Sequence, residues 1–276
     1  MARDVTFRHP PVVETVLSVQ FERLDALSNA CLGAFWQERR SAWPRVSDAS
    51  PLDEQFETFG RQPGWDKGIH LKLTQSPAGR IQMRSAAGDR MIQLQNCRLD
   101  YNWIGQAGQE YPRYRAVRPE FDEVLAGFER YIREHDLGQL TANQWEVTYV
   151  NQMPEGTVWQ GPEEWPGVFR SLPGLAVVPD GLRLEGLAGH WHFEIEPRRG
   201  RLHVALQHAY VGGDPEQEAL VMKLTARGPI DRQQNASRAI DDGLDLGHDV
   251  IVESFEELTS PRAHEYWNRE VEHADG

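Results

Sequence analysis

The sequence predicts an α+β fold: two pseudo-repeats joined into one curved antiparallel sheet with helices on its convex face. Three observations lead there. Period-two runs and helical runs alternate along all 276 residues. Their order, strand, helix, four strands, long helix, occurs twice, over 1–138 and again over 139–276. Most of the strand-like runs also carry apolar residues on one face and polar residues on the other, as a sheet covered by helices on one side requires.

In the first half, `TVLSVQF` alternates Leu17, Val19 and Phe21, the pattern of a half-buried strand. `LSNACLGAFWQERRSAWP` then sets Leu32, Phe35, Trp36, Arg39 and Trp43 at helical spacing, with Ser28 as N-cap and Pro44 as the stop. Four strand-like runs follow, `QFETF`, `GIHLKLTQS`, `GRIQMRSA` and `RMIQLQNCRLDYNW`, the last three separated by Pro77-Ala78-Gly79 and Gly88-Asp89. `RPEFDEVLAGFERYIREH` closes the half as a helix with Phe121, Val124, Leu125, Phe128 and Ile132 in its apolar stripe.

The second half repeats the order. `QWEVTYVNQM` is a strand with Trp145, Val147 and Tyr149 on one face, and `PEEWPGVFRSLP` a short helix. `GLRLEG`, `GHWHFEIE`, `RLHVALQHAYV` and `ALVMKLTARG` read as strands, and a long helix starts near Ala236 with Ile240, Leu244, His248, Ile251, Phe255 and Leu258 in one stripe. Two such units hide a strand edge each by joining edge to edge. The element order resembles the duplicated saddle of the TATA-binding-protein-like class, which implies a shape and not a role on DNA.

Composition narrows the function classes. The net charge of −13 argues against a general nucleic-acid coat, which needs excess cations. The first half has 18 basic against 19 acidic residues and the second 11 against 23, so the acidity sits in one half. `MARDVTFRHPPVVE` has no apolar core of a signal peptide and no run is long enough for a membrane span. With only Cys31 and Cys97, far apart, the expectation is a cytoplasmic protein with free thiols, no membrane partner, and a homodimer left open.

Two surfaces stand out. On `GHWHFEIE`, the apolar Trp191, Phe193 and Ile195 face the helices, so His190, His192 and Glu194 share the open face, with His203 on the next strand. Those four could supply the nitrogen and oxygen ligands that zinc or iron accepts; the competing reading is a solvated sheet face. In the first half, Lys72, Arg80, Gln82, Arg84, Gln93 and Gln95 fall on the open face, donors suited to an anionic partner. Such residues also serve plain solubility.

The remaining signals are weaker. His248 lies on an apolar helix stripe and reads as a core histidine with one hydrogen bond. Tyr101, Trp103, Tyr111 and Tyr114 cluster at one strand end, either as a stacking platform or as a plug for the sheet. `DDGLDLGHD` lacks the Asp/Asn ladder and closing Glu of a calcium loop and reads as a helix face. There is no nucleophile elbow, phosphate loop or paired-cysteine motif.

`PPVVETVLSVQF`, `DYNW` before `YPRY`, `EVTYVNQM` and `HDVIVESFEELTS` followed by Trp267 also match, in order, a sporadically distributed bacterial family of unknown function, which the chain resembles over nearly its whole length. The resemblance implies no catalytic or binding residues. A patchy distribution implies a mobile-element or defence setting. The first expectation is a non-enzymatic binding protein whose polar concave face engages a macromolecule, a protein by preference. The alternatives are a metal- or small-ligand-dependent enzyme on the His190/His192/Glu194/His203 face, and nucleic-acid binding by the basic first half.

Overall fold

A computed structural model describes residues 4–60, 79–106, 108–170, 180–212, 216–231 and 235–272. In chain order these form β1 (Asp4–Phe7), β2 (Val12–Phe21), α1 (Asn29–Arg39), β3 (Arg45–Ala49), β4 (Arg80–Arg84), β5 (Arg90–Gln95), β6 (Arg98–Ile104) and α2 (Tyr114–Glu134). The chain continues through β7 (Ala142–Pro154), α3 (Trp165–Val168), β8 (Ala188–Ile195), β9 (Gly200–Val211), β10 (Gln217–Pro229), α4 (Ala236–Leu258), α5 (Pro261–Tyr266) and β11 (Arg269–Glu272).

The sheet runs β3-β4-β5-β6-β2-β7-β10-β9-β8, antiparallel throughout, curved and unclosed. Its centre is the seam between β2 and β7, where Leu17 pairs with Val147 and Val19 with Trp145. From that seam each half runs outward through its later strands in reverse order, β6-β5-β4-β3 on one side and β10-β9-β8 on the other. The alternation reading holds on the convex side. Leu17, Val19, Phe21, Ile81, Met83, Ile92, Leu94, Val147, Leu202, Val204 and Leu206 are all buried.

Ser28 caps α1 by accepting from the Cys31 N–H, and Asn235 caps α4 by accepting from Arg238 N–H. Phe121 and Phe128 of α2 and Leu244 and Ile251 of α4 enter the core, Phe128 meeting Phe21 at a 5.8 Å ring distance. Each such side chain contributes about 1.5–3 kcal/mol by leaving water.

The helix α4 approaches the sheet unusually closely. A Cβ on Gly243 would stand 2.3 Å from Trp145 Cδ1, and one on Gly247 2.8 Å from Trp145 Cζ3. Two glycines four residues apart thus clear a groove for one tryptophan, at a helix-propensity cost of about 1 kcal/mol each.

Several elements differ from the sequence expectation. `QFETF` is not a strand: it crosses the concave face without regular secondary structure. `GIHLKLTQS` lies outside the described residues. `RMIQLQNCRLDYNW` is two strands, because the chain turns at Asn96-Cys97 without a glycine or proline to announce it. `GLRLEG` is irregular, so the second half adds three strands after its helix. The edge strand β3 went unforeseen because `RVSDA` is polar but for Val46 and Ala49, and Val46, which pairs with buried Met83, stays 40% exposed at the sheet edge. The β1–β11 ribbon, pairing Val5 with Val271, is too short to show a period. No helix among the described residues is long and apolar enough to cross a membrane.

Candidate binding surface on the concave face

Strand parity places a polar set on the concave face, and register aligns it into rows. One row runs Gln82, Gln93, Asp100, Ser18, Glu146, Arg227, Arg201, Glu194 across eight strands. At the sheet centre this row is buried: Asp100 is 2% exposed and Ser18 fully covered. Burial of charge demands partners, and they are present. Ser18 donates to Asp100, Arg98 Nε donates to Asp100 at 2.5 Å, and Arg98 Nη2 donates to Glu146 at 2.6 Å. Arg227 Nη1 donates to the second Glu146 oxygen at 2.8 Å. Burial opposes ionisation of Glu146, but Arg98 and Arg227 overcome it and hold its carboxyl down at about 2.

Arg227 and Arg201 face each other directly across β10 and β9, two like charges side by side, Arg201 buried and Arg227 half-buried. That pairing is unfavourable unless an anion sits between them. Glu57 supplies it. Its Oε1 accepts from Arg227 Nε at 3.0 Å and Nη2 at 2.8 Å, and its other oxygen accepts from Arg201 Nη1. His203 Nε2 lies 2.7 Å from Glu57 Oε1. The burial of Glu57 works against its charge, yet the His203 hydrogen bond and Arg227 leave its pKa lowered.

Glu57 belongs to a strap, residues 51–59, that crosses this face. Amide side chains of the sheet read its backbone as a neighbouring strand would. Gln95 accepts from Leu52 N–H at 2.9 Å and donates to Leu52 O at 2.9 Å. Gln20 does the same for Gln55, at 2.9 and 2.6 Å, and Gln144 accepts from Glu57 N–H at 3.3 Å. Arg23 Nη2 donates to Glu54 at 2.9 Å. The concave face is therefore not open along its length.

Beside the strap remains a cavity of about 710 Å³, bordered by Glu14, Asn102, Lys223, His190, His192 and strap residues Pro51 to Asp53. Lys223 and His190 are exposed here, and both pair with Ala205, whose short side chain leaves a notch between them.

The sequence-predicted residues distribute as follows. Lys72 lies outside the described residues. Arg80, Gln82 and Arg84 are half-buried, and Gln93 accepts from both Arg80 (2.8 Å) and Gln82 (2.9 Å). Gln93 and Gln95 were expected on an open surface and are instead buried, Gln95 under the strap. Desolvation lowers the pKa of Arg80. On the other half, His192 and His203 are paired across strands with their Nδ1 atoms 2.8 Å apart. Burial and the His203 ring lower the pKa of His192. His190 lies one row away, and exposed Glu194 accepts from the Arg198 N–H at 3.2 Å. The four do not converge, and no group of three or more His, Cys, Asp or Glu among the described residues could hold a metal ion.

Sequence reasoning missed Glu57, Asp100, Glu146, Arg201 and Arg227 as a unit. Their strand parity was legible, since each of the four sheet residues neighbours a core residue. The strap that buries them was not, because its alternation is that of a strand.

A second cavity, of about 390 Å³, lies on the helix side. There Tyr111 donates to Tyr149 at 2.8 Å, Tyr149 Oη meets His248 Nδ1 at 2.9 Å, and Tyr114 stacks on the His248 ring at 4.1 Å. Tyr101 and Trp103 are buried, and Trp103 packs on Tyr111, so these aromatics close the sheet end. Desolvation pushes Tyr111 up to about 12. No family model matches the chain, and no curated protein matches it.

Proposed function

We propose that this chain is a non-enzymatic binding protein that engages a macromolecular partner, a protein, at its concave face. The observation that supports this reading is the cavity beside the strap, walled by Lys223, His190 and amide groups over a rigid ion network. A preorganised polar surface of that kind loses little entropy on binding. The net charge of −13 favours a protein over nucleic acid. The cross-strand His192–His203 pair, linked to Glu57, favours a second reading, an enzyme using metal or acid/base chemistry on that face. Stoichiometric zinc, iron or manganese in purified protein, lost in a His192→Ala/His203→Ala variant, would favour that second reading.

The binding reading is tested with Lys223→Glu and His190→Glu, both exposed changes that leave the fold intact. Proteins captured from the native host by the wild type should be lost with the double variant. Identical capture by both proteins would sink the concave-face assignment.

A further inference from the structure

We infer that the concave face is a reader of extended acidic peptides, and that residues 51–59 occupy it as a built-in pseudo-ligand. The inference rests on the binding reading above and names the partner's chemistry.

The strap displays how the face recognises a chain. Gln95 and Gln20 each present a side-chain amide that pairs with both the N–H and the C=O of one strap residue, Leu52 and then Gln55. Gln144 receives a third amide, at Glu57. A glutamine side chain is the hydrogen-bonding equivalent of a peptide unit, so this recognition depends on an extended backbone and not on particular side chains.

Sequence selection comes from charge. `PLDEQFETF` contains three acidic residues and no basic one. Two of the three are engaged: Glu54 by Arg23, and Glu57 by Arg201, Arg227 and His203. The arginines that hold Glu57 stand opposite each other on neighbouring strands, so the site demands a carboxylate whichever chain supplies it. The ligand is thus an extended segment with acidic residues three positions apart, the second of them the anchor. Its chain would continue past the strap into the cavity bordered by Lys223 and His190.

The test uses the full chain and a fluorescent peptide with the sequence of residues 50–60. Glu57→Gln weakens the tethered strap while leaving the arginines in place. This variant should bind the peptide at least about tenfold more tightly than the wild type does, a difference of about 1.4 kcal/mol. A peptide with Gln in place of both glutamates should lose at least about that factor again. If Glu57→Gln does not melt cooperatively, Pro51→Gly/Leu52→Gly loosens the strap without touching its anchor and should show the same order of affinities.

A folded variant that binds neither peptide, or binds both equally, overturns the inference. So does a single-stranded oligonucleotide that displaces the acidic peptide at lower concentration. If the peptide fails while Lys223→Glu/His190→Glu still loses host partners, only the peptide class falls and the broader binding reading stands.

Discussion

The two faces of this sheet bury opposite chemistry on the same strands. On the convex side Leu17, Val19 and Val147 pack hydrocarbon under α2 and α4; on the concave side Ser18 and Glu146, their chain neighbours, lie in an ion network under the strap. One face excludes water by shape, the other by pairing Asp100, Glu146 and Glu57 with Arg98, Arg201 and Arg227. The first tolerates loss of a group in proportion to volume. The second does not, since removing one partner strands another in a low-dielectric site.

The largest expected effect breaks the convex side. Trp145→Ala should lower stability by about 3–5 kcal/mol, read from denaturant midpoints, because the residues against its ring include Gly200, Gly228, Gly243 and Gly247, which have no side chain to collapse into the space. Glu57→Ala follows, at about 3 kcal/mol, since it leaves Arg201 and Arg227 facing each other. This second loss should depend on pH and the first should not. A carboxyl whose folded pKa is lowered contributes stability above its unfolded value and loses it as pH falls. The gap between wild type and Glu57→Ala should therefore narrow below about pH 4.5. Acid unfolding of the wild type should extend down toward pH 2, where Glu146 takes up its proton.

Smaller effects sharpen the contrast. Gly243→Ala should destabilise by about 1–3 kcal/mol through contact with Trp145, despite a gain of about 1 kcal/mol in helix propensity. Ser18→Ala should cost about 1 kcal/mol, because Asp100 keeps Arg98. Lys223→Glu, on the exposed part of the concave face, should stay within about 0.5 kcal/mol of the wild type. A thermal shift larger than that of Gly243→Ala would place Lys223 inside the network.

The convex face was legible in the sequence because period two and period 3.6 report burial directly. Leu17/Val19/Phe21 and Phe121/Leu125/Phe128 needed no tertiary information to be placed. Parity likewise put Arg80, Gln93, His190 and His203 on the other face. It did not reveal that Gln93 and Gln95 are covered, since a polar face looks the same in sequence whether water or a strap lies over it. `QFETF` alternates as a strand does, and only the side chains of Gln20, Gln95 and Gln144, distant in sequence, make it a strap. The opposition of Arg201 and Arg227 depends on register, which periodicity leaves open.

The central claim is that the strap seals the polar face through sheet side chains. Residue-resolved amide hydrogen exchange tests it most directly. Leu52, Gln55 and Glu57 N–H donate to Gln95, Gln20 and Gln144, so all three should exchange far more slowly than in the free 50–60 peptide. Gln20→Ala should release Gln55 first. If those three amides exchange at free-peptide rates in the folded wild type, residues 51–59 do not cover the concave face and the account of its buried charges is wrong.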